Sequence, residues 1–419
     1  MKKLLLLCLF SILSIFSFAN DWEFGSEGEH IIPLKGSAVA IKKEKITLKL
    51  TADGMLVNVK FTFDSPNAEN KIIGFVTPES GNNEEYEEDY SKAKRKAEPL
   101  KIKNFKTVVN GKEVKSNVEL LSKLLSRGVL DNNVIKEYIE EEKNFYNYVY
   151  YFNADFKQGE NIVEHSYFYT GSYGVYERDF EYVVTTISKW KNQTVEDFEI
   201  EVHPENYFVK LPYSFWKDNK KINWEVVGKG KMVTIAPTKK PNDEDANRIE
   251  KYGVIYLKLD NGSVRYRTKN FSPDEDFYMV RMDYILGFEY EFPEGKVQGY
   301  KFKDKYFEIV FTGIGYDDTD FIKEYQQELN DKDLDIIRNY PYALAGYDFA
   351  RKDLKDYFSQ FIWYSPMSKN VKINPLLNNI IKAADEIKAK KVVVMKRNWY
   401  IFTIGTAVSG IATIILGIL

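Results

Sequence analysis

The stretch Ile46-Thr47-Leu48-Lys49-Leu50-Thr51-Ala52-Asp53-Gly54-Met55-Leu56-Val57-Asn58-Val59-Lys60-Phe61-Thr62-Phe63 decides the fold class of this chain. On both sides of Ala52-Asp53-Gly54, apolar side chains occupy every second position, which is the period of a half-buried β-strand. Ala52-Asp53-Gly54 has the composition of a tight turn, so the stretch predicts an antiparallel hairpin. The same period recurs along the chain as far as residue 316. We therefore predict a mainly β protein with one or two antiparallel β-sandwich domains.

Turn sequences and aromatic content refine this prediction. Asn110-Gly111 predicts a type I′ hairpin turn, and Asp260-Asn261-Gly262 predicts another hairpin turn. We assign residues 20–212 to a first β-sandwich domain with helical insertions at 84–98 and 118–143, and residues 213–316 to a second β-rich domain. The 30 Tyr and 28 Phe residues suit half-buried strands, although a surface that stacks on sugar rings would use the same residues.

Hydrophobic segments lie at both ends of the chain. Met1-Lys2-Lys3 is followed by an apolar run over residues 4–18, which is too short to span a bilayer, so residues 1–19 are predicted to be a signal peptide. Residues 399–419 carry no charge and are long enough to span, so we predict a transmembrane helix over 398–419, preceded by a polar helical stalk over 376–397. Gly410 and Gly417 would allow such tail helices to self-associate.

The orientation of this tail is open. Five basic residues precede it and none follows, and the positive-inside rule alone would hold this flank in the cytoplasm. A signal peptide that exports the chain first would hold the flank outside. We favour export, because a tail-anchored cytosolic protein would leave the apolar run over residues 4–18 unexplained.

Composition excludes two classes of chemistry. The net charge of −3 gives no electrostatic basis for binding nucleic acid. Cys8 is the single cysteine and would be removed with the signal peptide. We therefore expect a mature chain without disulfides and without thiolate catalysis.

Beyond Gly315 the apolar period becomes helical. Leu334, Ile337 and Tyr340 mark the face of one predicted helix, and Leu354, Tyr357 and Phe358 mark another. Together with Trp363-Tyr364-Ser365-Pro366, the run Leu334-Asp335-Ile336-Ile337-Arg338-Asn339-Tyr340-Pro341-Tyr342-Ala343-Leu344-Ala345-Gly346-Tyr347-Asp348-Phe349 resembles the YARHG domain of bacterial exported proteins, over about residues 325–370. We place this small helical domain at 320–375.

In this resemblance, Leu344 and Ala345 stand where the family has its namesake Arg and His, so any role of that pair is in doubt here. The resemblance implies an extracytoplasmic helical module with a suspected association with the envelope and no established chemistry. Residues 21–300 are similar to an uncharacterised bacterial exported-protein family that often precedes YARHG domains. That similarity is carried by Ile32-Pro33-Leu34-Lys35, Gly74-Phe75-Val76-Thr77-Pro78, Val108-Val109-Asn110-Gly111 and the aromatic run at 146–169, and it implies a β-rich exported domain.

The sequence contains no recognisable catalytic motif. His30, His165 and His203 are far apart and have no metal-ligand spacing. The acidic runs Asp243-Glu244-Asp245, Asp274-Glu275-Asp276 and Asp317-Asp318-Thr319-Asp320 lack the spacing of a calcium loop. We therefore predict no catalytic residue, no metal site and no cofactor.

Four residues of the YARHG-like segment are candidates for binding: Tyr342, Gly346, Trp363 and Tyr364. The indole of Trp363 could contact a sugar or a peptide. It could instead fill the core of the small domain against Tyr342 and Phe349, since one buried Trp contributes much of the apolar area in a domain of this size.

These features predict a non-enzymatic, membrane-tethered envelope protein outside the cytoplasm, anchored by its C-terminal helix and bound to the cell wall or another surface partner. The alternative is an envelope hydrolase acting on peptidoglycan or glycan through carboxylates dispersed in the sequence. Acidic residues about 5–10 Å apart in an aromatic cleft would favour the hydrolase, and a continuous flat face would favour the binding protein. A third hypothesis is a sensor or assembly subunit whose tail helices pair.

Overall fold

A computed structural model describes the following residues: 30–33, 38–77, 101–129, 148–173, 177–243, 248–282, 296–297, 299–302, 304–312 and 328–391. The predicted signal peptide, the tail helix at 398–419, the helical insertion at 84–98 and much of the insertion at 118–143 lie outside these ranges. Among the described residues, no helix combines the length and the apolar character that a membrane crossing requires.

Strands dominate the described chain. In chain order they are β1 (His30–Pro33), β2 (Ala40–Leu50), β3 (Met55–Ser65), β4 (Glu69–Thr77), β5 (Ile102–Val109), β6 (Lys112–Val114), β7 (Asn117–Leu120), β8 (Tyr148–Phe156), β9 (Gly159–Tyr169), β10 (Ser172–Tyr173), β11 (Glu177–Tyr182), β12 (Val195–His203), β13 (Phe208–Leu211), β14 (Glu225–Ile235), β15 (Val254–Phe271), β16 (Phe277–Met282), β17 (Lys296–Val297) and β18 (Tyr300–Lys301). The helices are α1 (Leu121–Ser126), α2 (Arg248–Tyr252), α3 (Phe307–Thr312), α4 (Asp331–Leu344), α5 (Lys352–Phe358) and α6 (378–391). Short 3-10 segments occupy Thr185–Lys189 and Pro375–Leu377.

One long sheet organises the molecule. Its 12 strands run in the order β10-β11-β16-β13-β15-β12-β2-β3-β9-β5-β6, with β14 beside β15, and a separate 4-stranded sheet has the order β1-β4-β8-β7. The mainly β prediction is confirmed, but the expectation of purely antiparallel sheets is wrong. Strand β12 returns beside β2 in the same direction, with Ile200 opposite Ile46. Strands from the predicted domains 20–212 and 213–316 are neighbours in this sheet.

Two of the three predicted hairpin turns are confirmed. Leu50 pairs with Met55, and the Thr51 amide donates to the Gly54 carbonyl over 2.8 Å. Asn110 and Gly111 both have positive φ angles, 51° and 79°, as a type I′ turn requires. The turn predicted at Asp260-Asn261-Gly262 is wrong, because β15 continues through it. Gly262 instead allows close approach of β14, since a Cβ there would lie 2.1 Å from the carbonyl oxygen of Val227.

The four-stranded sheet covers the inner face of the long sheet. Buried side chains of both sheets form the first hydrophobic core between them. The ring of Phe75 on β4 lies 5.0 Å from that of Phe105 on β5 and 5.2 Å from that of Tyr167 on β9. His165 is buried between the sheets, where its Nδ1 lies 3.0 Å from the Thr107 hydroxyl. Burial lowers the pKa of His165 to about 3.

A second core joins the opposite, outer face of the sheet to the helices beyond residue 300. Phe208, Tyr256 and Val280 from the sheet belong to the same cluster of buried residues as the apolar faces of α4 and α5. Two sheet lysines donate to helical-module carbonyls: Lys231 to Phe361 over 2.9 Å and Lys258 to Leu344 over 2.7 Å. The helical module is therefore fixed to the sheet by both apolar and polar contacts.

Part of the predicted stalk belongs to this module. Within the stalk range of 376–397, residues 378–391 form α6. One face of α6 is buried in the second core through Ile380, Ala383, Ala384 and Ile387. Spacing of three and four residues places these side chains on one side of the helix. The described part of the stalk therefore packs on its neighbours.

Candidate functional site

The helices of the YARHG-like segment form as the sequence predicts. Asn330 begins α4 with a capping box, in which its side chain accepts from the Lys332 and Asp333 amides and the Asp333 carboxylate accepts from the Asn330 amide. Leu334, Ile337 and Tyr340 lie on its buried face, and Leu354 and Phe358 of α5 pack into the same core. This framework places all four predicted binding residues.

Trp363 lies in the centre of that framework. Its side chain is 1% exposed, and its indole Nε1 donates to the Phe302 carbonyl over 2.9 Å. Its ring stacks on Phe361 with 4.9 Å between centroids and lies 5.4 Å from Tyr340. In this arrangement Trp363 fills the core, the second of the two alternatives, and its ring neighbours are Tyr340, Phe358 and Phe361. A contact from Trp363 to a polymer would require the indole to leave the core.

The two tyrosines also have intramolecular partners. Tyr364 is buried, donates its hydroxyl to the Tyr347 carbonyl over 2.9 Å and packs against Phe349. Tyr342 is half-buried, and its ring meets that of Tyr347 edge-on at 5.9 Å. Of the four residues, Tyr342 is the one that presents a partly accessible side chain.

Gly346 ends helix α4. Its φ angle of +80° lies in the left-handed region, and its amide donates to the Ala343 carbonyl over 2.9 Å, as in a glycine C-cap. The Met367 amide returns to the Gly346 carbonyl over 2.9 Å. A Cβ at this position would lie 2.5 Å from the Met367 Cε atom. This glycine therefore sets the path of the chain from α4 towards Trp363.

Substituting Gly346→Ala is expected to lower the free energy of unfolding by about 1–2 kcal/mol, because a positive φ is strained for alanine, the flexible end of Met367 must move away from the methyl group, and the Ser365 carbonyl oxygen lies 3.1 Å from it. Gly111→Ala is the matched control, since Gly111 has φ +79° and nothing within 4 Å of an added Cβ. It should show the backbone strain alone, about 1 kcal/mol. Equal losses in urea unfolding of the two variants would contradict the packing at Met367.

A carboxylate–tyrosine cluster, which sequence reasoning missed, lies where α3 meets α4 and α5. Asp304 accepts hydrogen bonds from the hydroxyls of Tyr357 and Tyr340 and from the Tyr306 amide. Asp333 accepts from the Tyr306 hydroxyl, from Lys305 and from the Asn330 amide. The cluster thus ties the residues that lead into α3 to helices α4 and α5.

The two carboxyl groups of this cluster have pKa values shifted in opposite directions. Burial raises the pKa of Asp304 above its ordinary value despite the Tyr357 hydrogen bond. Burial also acts to raise the pKa of Asp333. Hydrogen bonds from Tyr306, the Asn330 amide and Lys305 outweigh this effect and hold the pKa of Asp333 below its ordinary value. Such a divergent pair is typical of acid–base sites. Here, however, all four carboxylate oxygens already accept hydrogen bonds from within the protein, which is typical of a cluster that stabilises the fold.

The exposed part of the outer sheet face carries rows of paired charges. One row crosses five strands, in the order Glu164, Lys60, Lys45, Glu199 and Arg267 on β9, β3, β2, β12 and β15. Its ion pairs measure 3.0 Å for Lys60–Glu164, 3.0 Å for Lys45–Glu199 and 2.7 Å for Arg267–Glu199. We call this surface the charge-row face.

Neighbouring pairs extend the charge-row face along the strands. Lys42 pairs with Glu196, Lys269 with Asp197, and Lys49 with Glu205. These residues project away from the first core, whose members on β2 and β12 alternate with them. The helical module packs on the same outer face, against β13, β16 and the first part of β15, whereas the charged residues of β15 lie further along that strand. The sequence signal for the rows is the alternation of charged residues within each strand, but it does not reveal which strands are neighbours.

One member of the acidic runs, Asp276, has a structural role. The Asp276 carboxylate accepts from the Val184 and Thr185 amides, over 2.9 Å each, at the start of the Thr185–Lys189 segment. Residues 244–247 and 313–327 lie outside the described chain. Within the ranges that the structure describes, no three His, Cys, Asp or Glu side chains are grouped as metal ligands would be.

Many solved structures are similar to this chain, and two of them illustrate how distant the similarity is. A crystal structure of a candidate nutrient-binding protein from Legionella pneumophila aligns with 86% of this chain and 98% of its own, at 17% identity and a TM-score of 0.47. Legionella pneumophila aminopeptidase A in complex with aspartic acid aligns with 60% of this chain and 23% of its own, at 6% identity and a TM-score of 0.24. Because both TM-scores are below 0.5, neither supports an argument about activity.

Comparison with curated proteins finds no match to this sequence. Comparison with family models matches residues 311–389 to the YARHG domain. The matched range includes α4, α5 and most of α6, together with the four candidate residues described above. The helical module of this chain is therefore a YARHG domain, as the sequence predicts.

Proposed function

We propose that this chain is a non-enzymatic envelope protein, tethered to a membrane outside the cytoplasm, that binds the cell wall through its charge-row face. We include in this proposal the cleaved signal peptide, the β-sandwich formed by the two facing sheets, and the spanning tail helix. Self-association through that tail is a further part of it.

The observation that carries the proposal is the charge-row face itself. Lys45, Lys60 and Arg267 are about half exposed, so charges of both signs are presented at regular strand spacing on an open surface. A charged surface that extends across several strands suits an extended polymer better than a small substrate. Peptidoglycan carries both amines and carboxylates, and it can therefore exchange ion pairs with both kinds of side chain.

The position of the YARHG domain supports the same function. It is fixed to the outer face of the sheet by the second core and by the lysine contacts from β14 and β15. The domain and the charge-row face thus lie on one side of the molecule. A partner that contacts one can contact the other without any rearrangement.

The test is co-sedimentation of the purified full chain with purified peptidoglycan. The charge-row variant Lys45→Ala/Lys60→Ala is compared with the control Lys71→Ala/Lys123→Ala, which removes two lysines from β4 of the four-stranded sheet and from α1, away from the outer face. We expect the charge-row variant to bind about tenfold more weakly and the control to bind as wild type does. Exposed ion pairs contribute about 1 kcal/mol or less to stability, so both variants should fold.

Failure of the wild-type chain to pellet would overturn the wall-binding proposal. Equal binding by the two variants would remove the charge-row face from it. Release of soluble fragments from the wall material during the assay would instead support the alternative hydrolase. The carboxylate–tyrosine cluster would then be the first place to test, by Asp304→Asn.

A further inference from the structure

A small pocket lies at the inner face of the long sheet, beneath the 3-10 segment Thr185–Lys189. Its lining residues are Ile41, Glu44, Phe61, Tyr182, Val183, Val184, Thr186, Ile187 and Trp190. Glu44 belongs to the inward-facing series of β2 that continues with Ile46, Leu48 and Leu50, so the strand itself directs its carboxyl group into the core.

One oxygen of the buried Glu44 carboxyl group lacks a hydrogen-bond partner among the described residues. Its side chain is 3% exposed, and one oxygen, Oε1, accepts from the Tyr182 hydroxyl over 3.3 Å. The other oxygen, Oε2, has no hydrogen-bond partner in the part of the chain that the structure describes. Burial raises the pKa of Glu44 to about 8, and no basic side chain offsets this effect. An uncompensated buried carboxyl group is costly and therefore unusual at a purely structural position.

Trp190 adds a second unmet group in the same pocket. Its indole Nε1 is buried and has no described hydrogen-bond acceptor. The residues that line the pocket thus include a carboxyl group with one unpartnered oxygen, an indole with an unpartnered N–H, and the aromatic rings of Phe61, Tyr182 and Trp190. A carboxylate surrounded by aromatic rings is the combination that binds an ammonium group.

We propose that this pocket binds a small primary amine that carries an oxygen atom next to its ammonium group, such as an amino alcohol or an α-amino acid. The ammonium group donates to Glu44 Oε2, and the neighbouring oxygen accepts from Trp190 Nε1. One ligand then satisfies both groups. This binding is independent of the charge-row face, which lies on the opposite side of the sheet.

The charged groups near the pocket have other partners. Lys42, which is close to Glu44 on β2, pairs with Glu196, and Asp276 accepts the amides of Val184 and Thr185. The empty space between the lining side chains is about 200 Å³, a volume that includes solvent at the open side of the pocket. No part of this space is wide enough to hold a water molecule. Ligand entry therefore requires the Thr185–Lys189 segment to move outward.

Calorimetric titration of the full chain with ethanolamine tests the proposal. Ethylamine lacks the oxygen and ethylene glycol lacks the amine, so they serve as matched probes. We expect ethanolamine to bind more tightly than ethylamine and ethylene glycol to give no heat of binding. Because the bound form needs an ionised Glu44, close to one proton should be released per amine at pH 6.5. Affinity should fall about tenfold per pH unit below pH 8.

Two variants assign the contacts. Glu44→Gln should abolish binding of both amines, and Trp190→Phe should remove the preference for ethanolamine over ethylamine. Binding without proton release, equal binding of ethylene glycol, or no binding by the wild-type chain would each overturn the proposal. Because proton release is measured on the wild-type chain, the test does not depend on the folding of either variant. Pelleting with peptidoglycan is expected to be unaffected by Glu44→Gln, so the two proposals can fail separately.

Discussion

Replacing Trp363 with alanine is expected to lower the free energy of unfolding by about 4 kcal/mol, the largest loss that we predict for one substitution in the YARHG domain. The indole packs against Phe361 and Tyr340, and its removal leaves a cavity at the point where the domain meets Phe302. The Phe302 carbonyl also loses its donor. Urea unfolding followed by circular dichroism measures the change.

Two controls separate packing from hydrogen bonding. Trp363→Phe keeps an aromatic ring in the core and loses the indole N–H, so we expect a loss of about 1–2 kcal/mol. Trp216→Ala removes a half-buried indole whose Nε1 donates to the Ser272 carbonyl over 2.8 Å, and it should cost less than Trp363→Ala. A Trp363→Ala variant with wild-type stability and weaker binding to peptidoglycan would restore the surface-contact interpretation of Trp363.

Local patterns in the sequence predicted the parts of the fold that depend on neighbours along the chain. The hairpin of β2 and β3 follows from period-two alternation and a turn sequence, and α4 follows from its helical period. Asp260-Asn261-Gly262 misled the prediction because a glycine that permits a close strand approach has the same composition as one that permits a turn. Only the pairing of β14 with β15 distinguishes the two cases.

Features that depend on distant segments could not be predicted. The parallel pairing of β2 with β12 joins Ile46 to Ile200, and no local pattern specifies it. The position of Trp363 shows the same limit. An aromatic residue after a helix suits either a surface or a core, and here the carbonyl of Phe302 and the ring of Phe361 decide in favour of the core.

Glu44 did leave a signal in the sequence. Counting back by twos from Leu50, Leu48 and Ile46 reaches Glu44 on the apolar face of β2. A register irregularity between Ile41 and Lys43 makes this signal harder to read. Ile41 faces inward as Glu44 does, although strict alternation would place the two residues on opposite faces of the strand. A charged residue in an inward position marks a site for which burial alone is not a sufficient explanation.

Substituting Glu44→Gln is expected to remove a pH dependence of stability that amounts to roughly 4 kcal/mol between pH 4.5 and pH 8. The folded state holds the Glu44 proton up to a pKa of about 8, whereas the ordinary pKa of the side chain is 4.5. Between these values the folded state binds more protons than the unfolded state. The contribution of the Glu44 proton to the free energy of unfolding is therefore fully present below pH 4.5 and is lost as the pH rises through 8.

Buried histidine opposes this trend on the acidic side. His165 has its pKa lowered from 6.5 to about 3, so the unfolded state binds more protons in that range and stability rises with pH up to 6.5. The loss caused by Glu44 should therefore be seen most clearly between pH 6.5 and pH 8, at about 1.4 kcal/mol per pH unit near pH 6.5 and about half of that at pH 8. The matched control Glu164→Gln removes an exposed carboxylate of β9 and should leave this slope unchanged.

The difference between wild type and Glu44→Gln is more informative than either curve alone. Glutamine keeps the shape of the side chain, and any cost of burying its amide is the same at every pH. A constant offset between the two curves of unfolding free energy against pH therefore reports packing. A difference in slope between them reports the proton on Glu44. If the two curves are parallel from pH 5 to pH 8, Glu44 is ionised in the folded state and must have a partner. If the wild-type curve falls relative to the Glu44→Gln curve as the pH rises, the carboxyl group is buried without one, which is the condition that the proposed amine would relieve.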